Sequence, residues 1–258
     1  MTTVAKMSPE KKRLKALLYG DSGTRKTRSV LTIPPEMKVL LLDIDDGTLS
    51  LGSSLPPNIT VVKFYDTPPS PKDEKVNTGP FLHAFHKLRS QLLGELVSPK
   101  HDVVFVDSLT ALSNAVLRQI AFDHKDDYYV PQIQDWGSYV SDFRNICNML
   151  SNPRVHVLFI AHEDEVMKTT GVGKEEVDKI RPFIHTKFSK QLGRFFDEEY
   201  RSTNRGNKTM WRTQGNQTIE AKSRLGLPLE VEMGWGQVFE KLRSEFNGAV
   251  PEKKGEGK

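Results

Sequence analysis

The stretch Leu17–Ser29, "LLYGDSGTRKTRS", reads as the end of a buried strand, a glycine turn, and then Lys26-Thr27 opening a helix. It departs at one place from the phosphate-binding pattern G-x-x-x-x-G-K-[ST], because Arg25 stands where the second glycine belongs. A loop of this kind points backbone N–H groups at phosphate oxygens beside a helix N-terminus. Its lysine reaches the β- and γ-phosphates and its Ser/Thr hydroxyl holds Mg²⁺. Gly20, Lys26 and Thr27 occupy three of the four defined positions. Asp21, Ser22, Gly23, Thr24, Arg25 and Arg28 complete the candidate cradle, with Gly23 as a second flexible point.

Outward from the loop, "LKALLY", "MKVLLLD", "ITVVKF", "HDVVFVD" and "VHVLFIA" are continuous apolar runs of strand length. Continuous runs, as opposed to alternating ones, mark strands covered on both faces of a parallel sheet. Helix-period segments lie between them: Leu109, Leu112, Val116, Leu117 and Ile120 form one apolar stripe, and Ile133, Trp136, Val140, Phe143, Cys147 and Leu150 another. Both stripes are read as core. A further helix is expected near residues 81–96, where His83 and His86 sit three apart as surface residues. Beyond Ile160, "EEYRST", "KTMWRT" and "QTIEAK" alternate and are separated by Asn/Gly turns, the pattern of antiparallel hairpins at one sheet edge. The expected architecture is one α/β domain over residues 13–246, mostly parallel sheet flanked by helices with antiparallel hairpin strands at the C-terminal edge, between tails 1–12 and 247–258.

Composition narrows the classes. The chain has 258 residues, 37% hydrophobic and 27% charged, which is ordinary globular usage. Its single cysteine, Cys147, excludes a disulfide framework, and no apolar run reaches the length of a membrane span. The first residues lack an apolar signal core, so a cytoplasmic location is expected.

Three further places can carry phosphate chemistry. "HDVVFVDSLT" ends a buried strand on Asp107, suited either to hold Mg²⁺ or, with Ser108, to cap the next helix. "VLLLDIDDGT" ends another strand with Asp43, Asp45 and Asp46, which can polarise an attacking water or shape the turn before Gly47. "VLFIAHED" places His162 at a strand tip, the position where ligands bind in open α/β sheets.

The order of these motifs, with a late "EAKSRLGLP", resembles a RecA-like P-loop NTPase core. More narrowly it is similar to the phage and prophage class of small RecA-like, AAA-type ATP-binding proteins, some of which are single-strand-annealing recombinases. The resemblance spans roughly residues 13–246. It implies ATP and Mg²⁺ as cofactors, Lys26 and Thr27 as phosphate and metal residues, and Asp107 as the second metal carboxylate. It also implies Asp45 in the place of a catalytic glutamate and His162 as a polar switch. Lys222 and Arg224 match the K-x-R pair with which such cores reach a neighbouring subunit's nucleotide, and period-2 spacing on a strand puts both on one face. That implies a homo-oligomer, a ring or a filament.

From Lys168 to Arg224 there are 13 Lys+Arg against 7 Asp+Glu. This surplus is either a solvated surface or the footprint of a polyanion. The expected polyanion is single-stranded DNA, bound through the Lys174 loop and the Asn204–Asn207 turn. Tyr200 is expected to stack on bases, and Trp211 either to stack or to pack the hairpin core. A single-strand-binding protein or nuclease is the expected protein partner. Two other readings remain open: a nucleotide-binding scaffold without hydrolysis, and a P-loop small-molecule kinase.

Overall fold

The computed structural model describes residues 12–52, 55–64, 80–124, 130–149, 154–171, 173–185 and 188–246. The apolar runs form β1 (Lys15–Gly20), β2 (Val39–Asp43), β3 (Ile59–Lys63), β4 (Val103–Asp107) and the start of β5 (His156–Thr169). Every residue of β2 and β4 is buried. In parallel register they lie in the order β1-β5-β4-β2-β3.

Alternate side chains on each strand feed two separate cores. On one face Leu17, Leu42 and Val104 pack with α1 (Pro80–Val97), α2 (Leu109–Asp123) and α3 (Asp135–Met149) through Leu92, Val116 and Phe143. The other face packs Leu18, Leu41 and Phe105 against Trp235, Phe239 and Leu242.

The stripe expected along α3 packs into the core at Trp136, Val140, Phe143 and Cys147 but not at Ile133. Ile133 precedes the helix and is 90% exposed, while Tyr139 and Ile146 are buried. The reason is the start of α3: the Asp135 carboxylate accepts the Gln132 N–H at 2.6 Å, which fixes the first turn two residues after Ile133. The Tyr139 hydroxyl then pairs with Ser113 at 2.5 Å. Leu150 and the side chains of His83 and His86 lie outside the described residues.

Past His162, β5 leaves the parallel core and pairs antiparallel with β6 (Glu175–Pro182). The Lys174 segment, expected as a loop, is the end of this long hairpin: the Thr170 N–H donates to the Lys174 carbonyl at 2.8 Å, and Gly173 supplies a left-handed φ of 76°. After the short α4 (Ser189–Leu192), β7 (Glu198–Arg205) joins β1 in parallel. β8 (Lys208–Arg212), β9 (Lys222–Ser223) and β10 (Glu230–Glu232) add antiparallel edge pairings, and α5 (Trp235–Phe246) comes last.

Because β7 lies between β1 and β8, its inward side chains are core. Tyr200 and Trp211 are fully buried and ring-stacked 5.8 Å apart, and Trp211 meets Trp235 at 4.7 Å. Neither is available to stack on a base, which corrects the expectation for Tyr200 and settles Trp211 as a core residue.

Gly20 ends β1 because nothing larger fits: a Cβ there would lie 2.4 Å from the Ser202 carbonyl oxygen of β7 and 2.9 Å from Thr24 Oγ1. Gly137 on α3 faces open space. Gly20→Ala is therefore expected to cost about 1–3 kcal/mol in urea unfolding, whereas Gly137→Ala stabilises by up to about 1 kcal/mol. Equal effects of the two substitutions would remove the packing argument.

Candidate functional site

The parallel strands all point their carboxyl ends the same way, so the loops that leave those ends are gathered on one side of the sheet. Gly20 of β1 is in register with His162 of β5, and Asp43 of β2 with Asp107 of β4. A cleft of about 280 Å³ opens above this row, lined by Ser22, Arg25, Lys26, Thr27, Asp45, Asp107 and His162 among others. A larger hollow of about 710 Å³ lies between β3 and α1, but none of these loop or strand-tip groups reaches it.

The loop is held from below by β7. Ser202 Oγ donates to the Thr24 carbonyl at 2.8 Å and Asn204 Nδ2 to the Gly23 carbonyl at 3.2 Å. Gly23 and Arg25 both have left-handed backbones, with φ 75° and 58°. The position where the pattern asks for glycine thus has the conformation that favours glycine, and Arg25 adopts it at a cost on the order of 1 kcal/mol. Asp21 and Ser22 are exposed at the turn, where the Ser22 N–H donates to the Asp21 carboxylate at 2.6 Å.

The helix expected after the loop is only a six-residue 3-10 segment, Thr27–Thr32. Pro34 and Pro35 follow one residue beyond it, which drives Ile33 to an extended backbone and stops its extension. What anchors the segment is side-chain packing: Trp235 Nε1 donates to Ser29 Oγ at 3.0 Å, and the Trp235 N–H donates to Thr32 Oγ1 at 2.9 Å.

Lys26 lies across the loop, its ammonium donating to the carbonyls of Gly20 at 2.9 Å and Asp21 at 2.7 Å. Burial lowers its pKa, and the nearby Asp107 opposes that shift. Thr27 Oγ1 donates to Asp107 Oδ2 at 2.7 Å. Burial pushes Asp107 up to about 6, with the Thr27 hydrogen bond pulling down and the Asp43 and Asp45 charges pushing up. Gly47 covers this pair, and a Cβ on it would sit 2.7 Å from Asp107 Oδ2 and 3.1 Å from Thr27 Oγ1. The hydroxyl, the carboxylate and the space above them form a cradle that a methyl group would fill. These are oxygen donors of the kind Mg²⁺ takes when it shares its shell with phosphates, so Thr27 and Asp107 fit that ion.

The strand-end acids divide by partner. Asp43 takes the Gly47 N–H at 3.1 Å and the Thr48 hydroxyl at 2.7 Å, shaping the turn. Asp46 pairs with Lys63 at 2.6 Å. Asp45 alone of the three lines the cleft, with the Ser108 hydroxyl at 3.1 Å and His162 Nε2 at 3.4 Å. The His162 hydrogen bond holds its pKa below the usual carboxylate value against an opposing burial effect. Ser108 Oγ also accepts the Ala111 N–H at 3.1 Å, so the helix cap belongs to Ser108 and Asp107 is left for Thr27.

Lys222 and Arg224 are elsewhere. In β9, Lys222 pairs with Glu199 at the opposite end of β7 from the loop, and its ammonium donates to the Gly193 carbonyl. Arg224 lies beyond the two-residue strand and pairs with Asp197 at 2.6 Å. Neither lines this cleft.

Residues 12–225 match the family model described as an AAA domain. The chain belongs to the AAA domain family. An AAA domain is a nucleotide-binding domain. No curated protein matches the chain. Among solved structures a similar one is an ATPase from the type III secretion system of pathogenic bacteria. It is 13% identical with a TM-score of 0.40, over 74% of this chain and 51% of that one. The chain therefore spans about half the length of that ATPase. Among the described residues no helix is long and apolar enough to cross a membrane.

Ser202 carries no motif in the sequence, and the contacts of Ser108, Gly47 and Asn204 at the cleft and loop become visible only when β2, β4 and β7 are brought beside the loop.

Asp107 yields a test with a defined sign. Its folded pKa is raised from 3.8 to about 6, so its contribution to stability is intact below pH 3.8 and is lost as pH rises through about 6. Asp107→Asn is expected to stabilise the nucleotide-free protein at pH 7.5 by about 1–3 kcal/mol, with no gain near pH 4. A pH-independent effect in paired urea titrations would contradict the assignment.

Proposed function

We propose that the chain is an ATP-binding, ATP-hydrolysing protein of the phage-type recombination or annealing class, acting on single-stranded DNA. The observation that carries the nucleotide part is the 2.7 Å Thr27–Asp107 hydrogen bond beneath a loop of phosphate-binding shape. Thr27 and Asp107 would hold Mg²⁺, which would supply charge neutralisation at the phosphates. Lys26 exchanges its loop carbonyls for phosphate oxygens.

Asp45 is the group placed to act on water. It is ionised at neutral pH because His162 and Ser108 stabilise its carboxylate. A carboxylate with a lowered pKa is a poor final proton acceptor but a good orienter of water, which is what phosphoryl transfer requires. The side chain is one methylene shorter than a glutamate. The two hydrogen bonds to it replace reach with fixed position.

The DNA part rests on continuity of the chain. His162 lies in the cleft and the same strand runs on to the hairpin that bears Lys168 at the end of β5 and Lys179 on β6, with Lys174 at the turn. With the aromatic platform withdrawn into the core, this contact is with backbone phosphates and is strongly salt-dependent. A homo-oligomer, and a single-strand-binding protein or nuclease as partner, belong to the same proposal. Lys222 and Arg224 reach a neighbour's nucleotide only by exchanging their present partners.

A second reading, nucleotide binding without hydrolysis, is favoured by the aspartate at position 45 and the strained Arg25. ATP turnover measured with and without single-stranded DNA separates the two. Turnover stimulated by DNA and abolished by Lys26→Ala supports hydrolysis, and nucleotide binding without turnover supports the scaffold. Absence of DNA binding at low salt would remove the DNA assignment.

A further inference from the structure

Arg25 occupies a left-handed backbone position, φ 58°, that glycine fills without strain. The loop keeps its shape around it, since the Ser29 N–H still donates to the Arg25 carbonyl at 3.0 Å. An arginine at such a position costs stability on the order of 1 kcal/mol, which a contact made by its side chain can offset. That side chain is exposed, lines the cleft, and has no hydrogen bond or ion pair among the described residues.

Arg28 also lines the cleft, but from the 3-10 segment that follows the loop and not from the loop itself; the remaining cations offered for the same task are tied up. Lys26 is buried against two loop carbonyls. Lys222 pairs beside Glu199 and Arg224 is bound to Asp197, whereas the loop end of β1 is opposite Ser202. Glu199 is three residues from Ser202 along β7, about 10 Å at roughly 3.3 Å per residue, and Asp197 lies before the strand begins. Asp45 and Asp107 bring negative charge into the cleft, and a triphosphate brings more.

We infer that Arg25 is an internal guanidinium for the terminal phosphate, neutralising in cis the charge for which Lys222 and Arg224 are too distant. A planar guanidinium presents paired N–H donors that match phosphate oxygens, and it stays charged at every working pH. The chain thereby exchanges the glycine's conformational freedom for a cation at the nucleotide. The inference rests on the nucleotide-binding reading above.

The test is equilibrium binding of a non-hydrolysable ATP analogue and of ADP, each with Mg²⁺, to the full chain and to Arg25→Gly and Arg25→Lys. Arg25→Gly is expected to lose about ten- to a hundredfold in affinity for the ATP analogue, with ADP affinity changed less than about twofold. Nucleotide-free Arg25→Gly is expected to melt higher than wild type, because the backbone strain is gone. Arg25→Lys keeps the charge but not the paired donors, and recovers only part of the preference for the triphosphate. If Arg25→Gly binds the ATP analogue as tightly as wild type or more tightly, the inference is overturned while the nucleotide site stands. If wild type binds neither nucleotide, the underlying reading falls and this one with it.

Discussion

A parallel sheet buried on both faces has no place for an unpaired charge inside it, so ionisable groups are confined to the strand ends. Strands β1 to β4 obey this closely. Asp43 and Asp107 end β2 and β4, while His156 begins β5 and Glu198 and Glu199 begin β7. Where such groups are buried at an end they are driven toward neutrality: His156 falls to about 3, chiefly through burial, and Glu199 rises to about 7 for the same reason. At the carboxyl end the same pressure is relieved by company. The loop after β1 brings Thr27 to Asp107, and the turn after β2 brings Gly47 and Thr48 to Asp43. Register, more than any single motif, assembles the site.

The parts of this arrangement that were legible in the sequence are those that depend on local period and on covalent order. Five apolar runs became parallel strands because continuous hydrophobicity at strand length has one common use. Lys26, Thr27, Asp45, Asp107 and His162 come together because each follows or ends such a run. The misplaced features depend on neighbours distant in sequence. Tyr200 and Trp211 look like exposed hairpin aromatics until β7 is seen between β1 and β8. The "KSR" residues are carried by the pairing of β9 with β7 to the end of β7 away from the loop. "TRSVLTI" has helical period, but the prolines behind it and the Trp235 indole beside it restrict it to a single 3-10 segment.

The cleft is an electrostatically unfinished object. Burial pulls Lys26 down and Asp107 up, each toward its neutral form, and each is among the charges that resist the other's shift. A phosphate chain gives the ammonium its anion, and a divalent cation gives the carboxylate its counter-charge. The free energy withheld from the empty fold by two poorly solvated charges and a left-handed arginine is returned when a ligand carrying both signs arrives.

That return need not stay local. The carbonyls of Gly23 and Thr24 are held by Asn204 and Ser202, so the loop cannot change shape without loading β7. Ser202 is paired in turn with Trp211 across the β7–β8 hairpin, and Trp211 packs on Trp235, whose indole holds Ser29 two residues after Thr27. The path from loop to hairpin to tryptophan to loop is closed, and each step is a hydrogen bond, a strand pairing or a ring contact already formed in the nucleotide-free fold. A closed ring of contacts of this kind resists partial adjustment. The loop is therefore held in one shape before the ligand arrives, and the ordering cost that a free glycine-rich loop would meet on binding is largely met on folding.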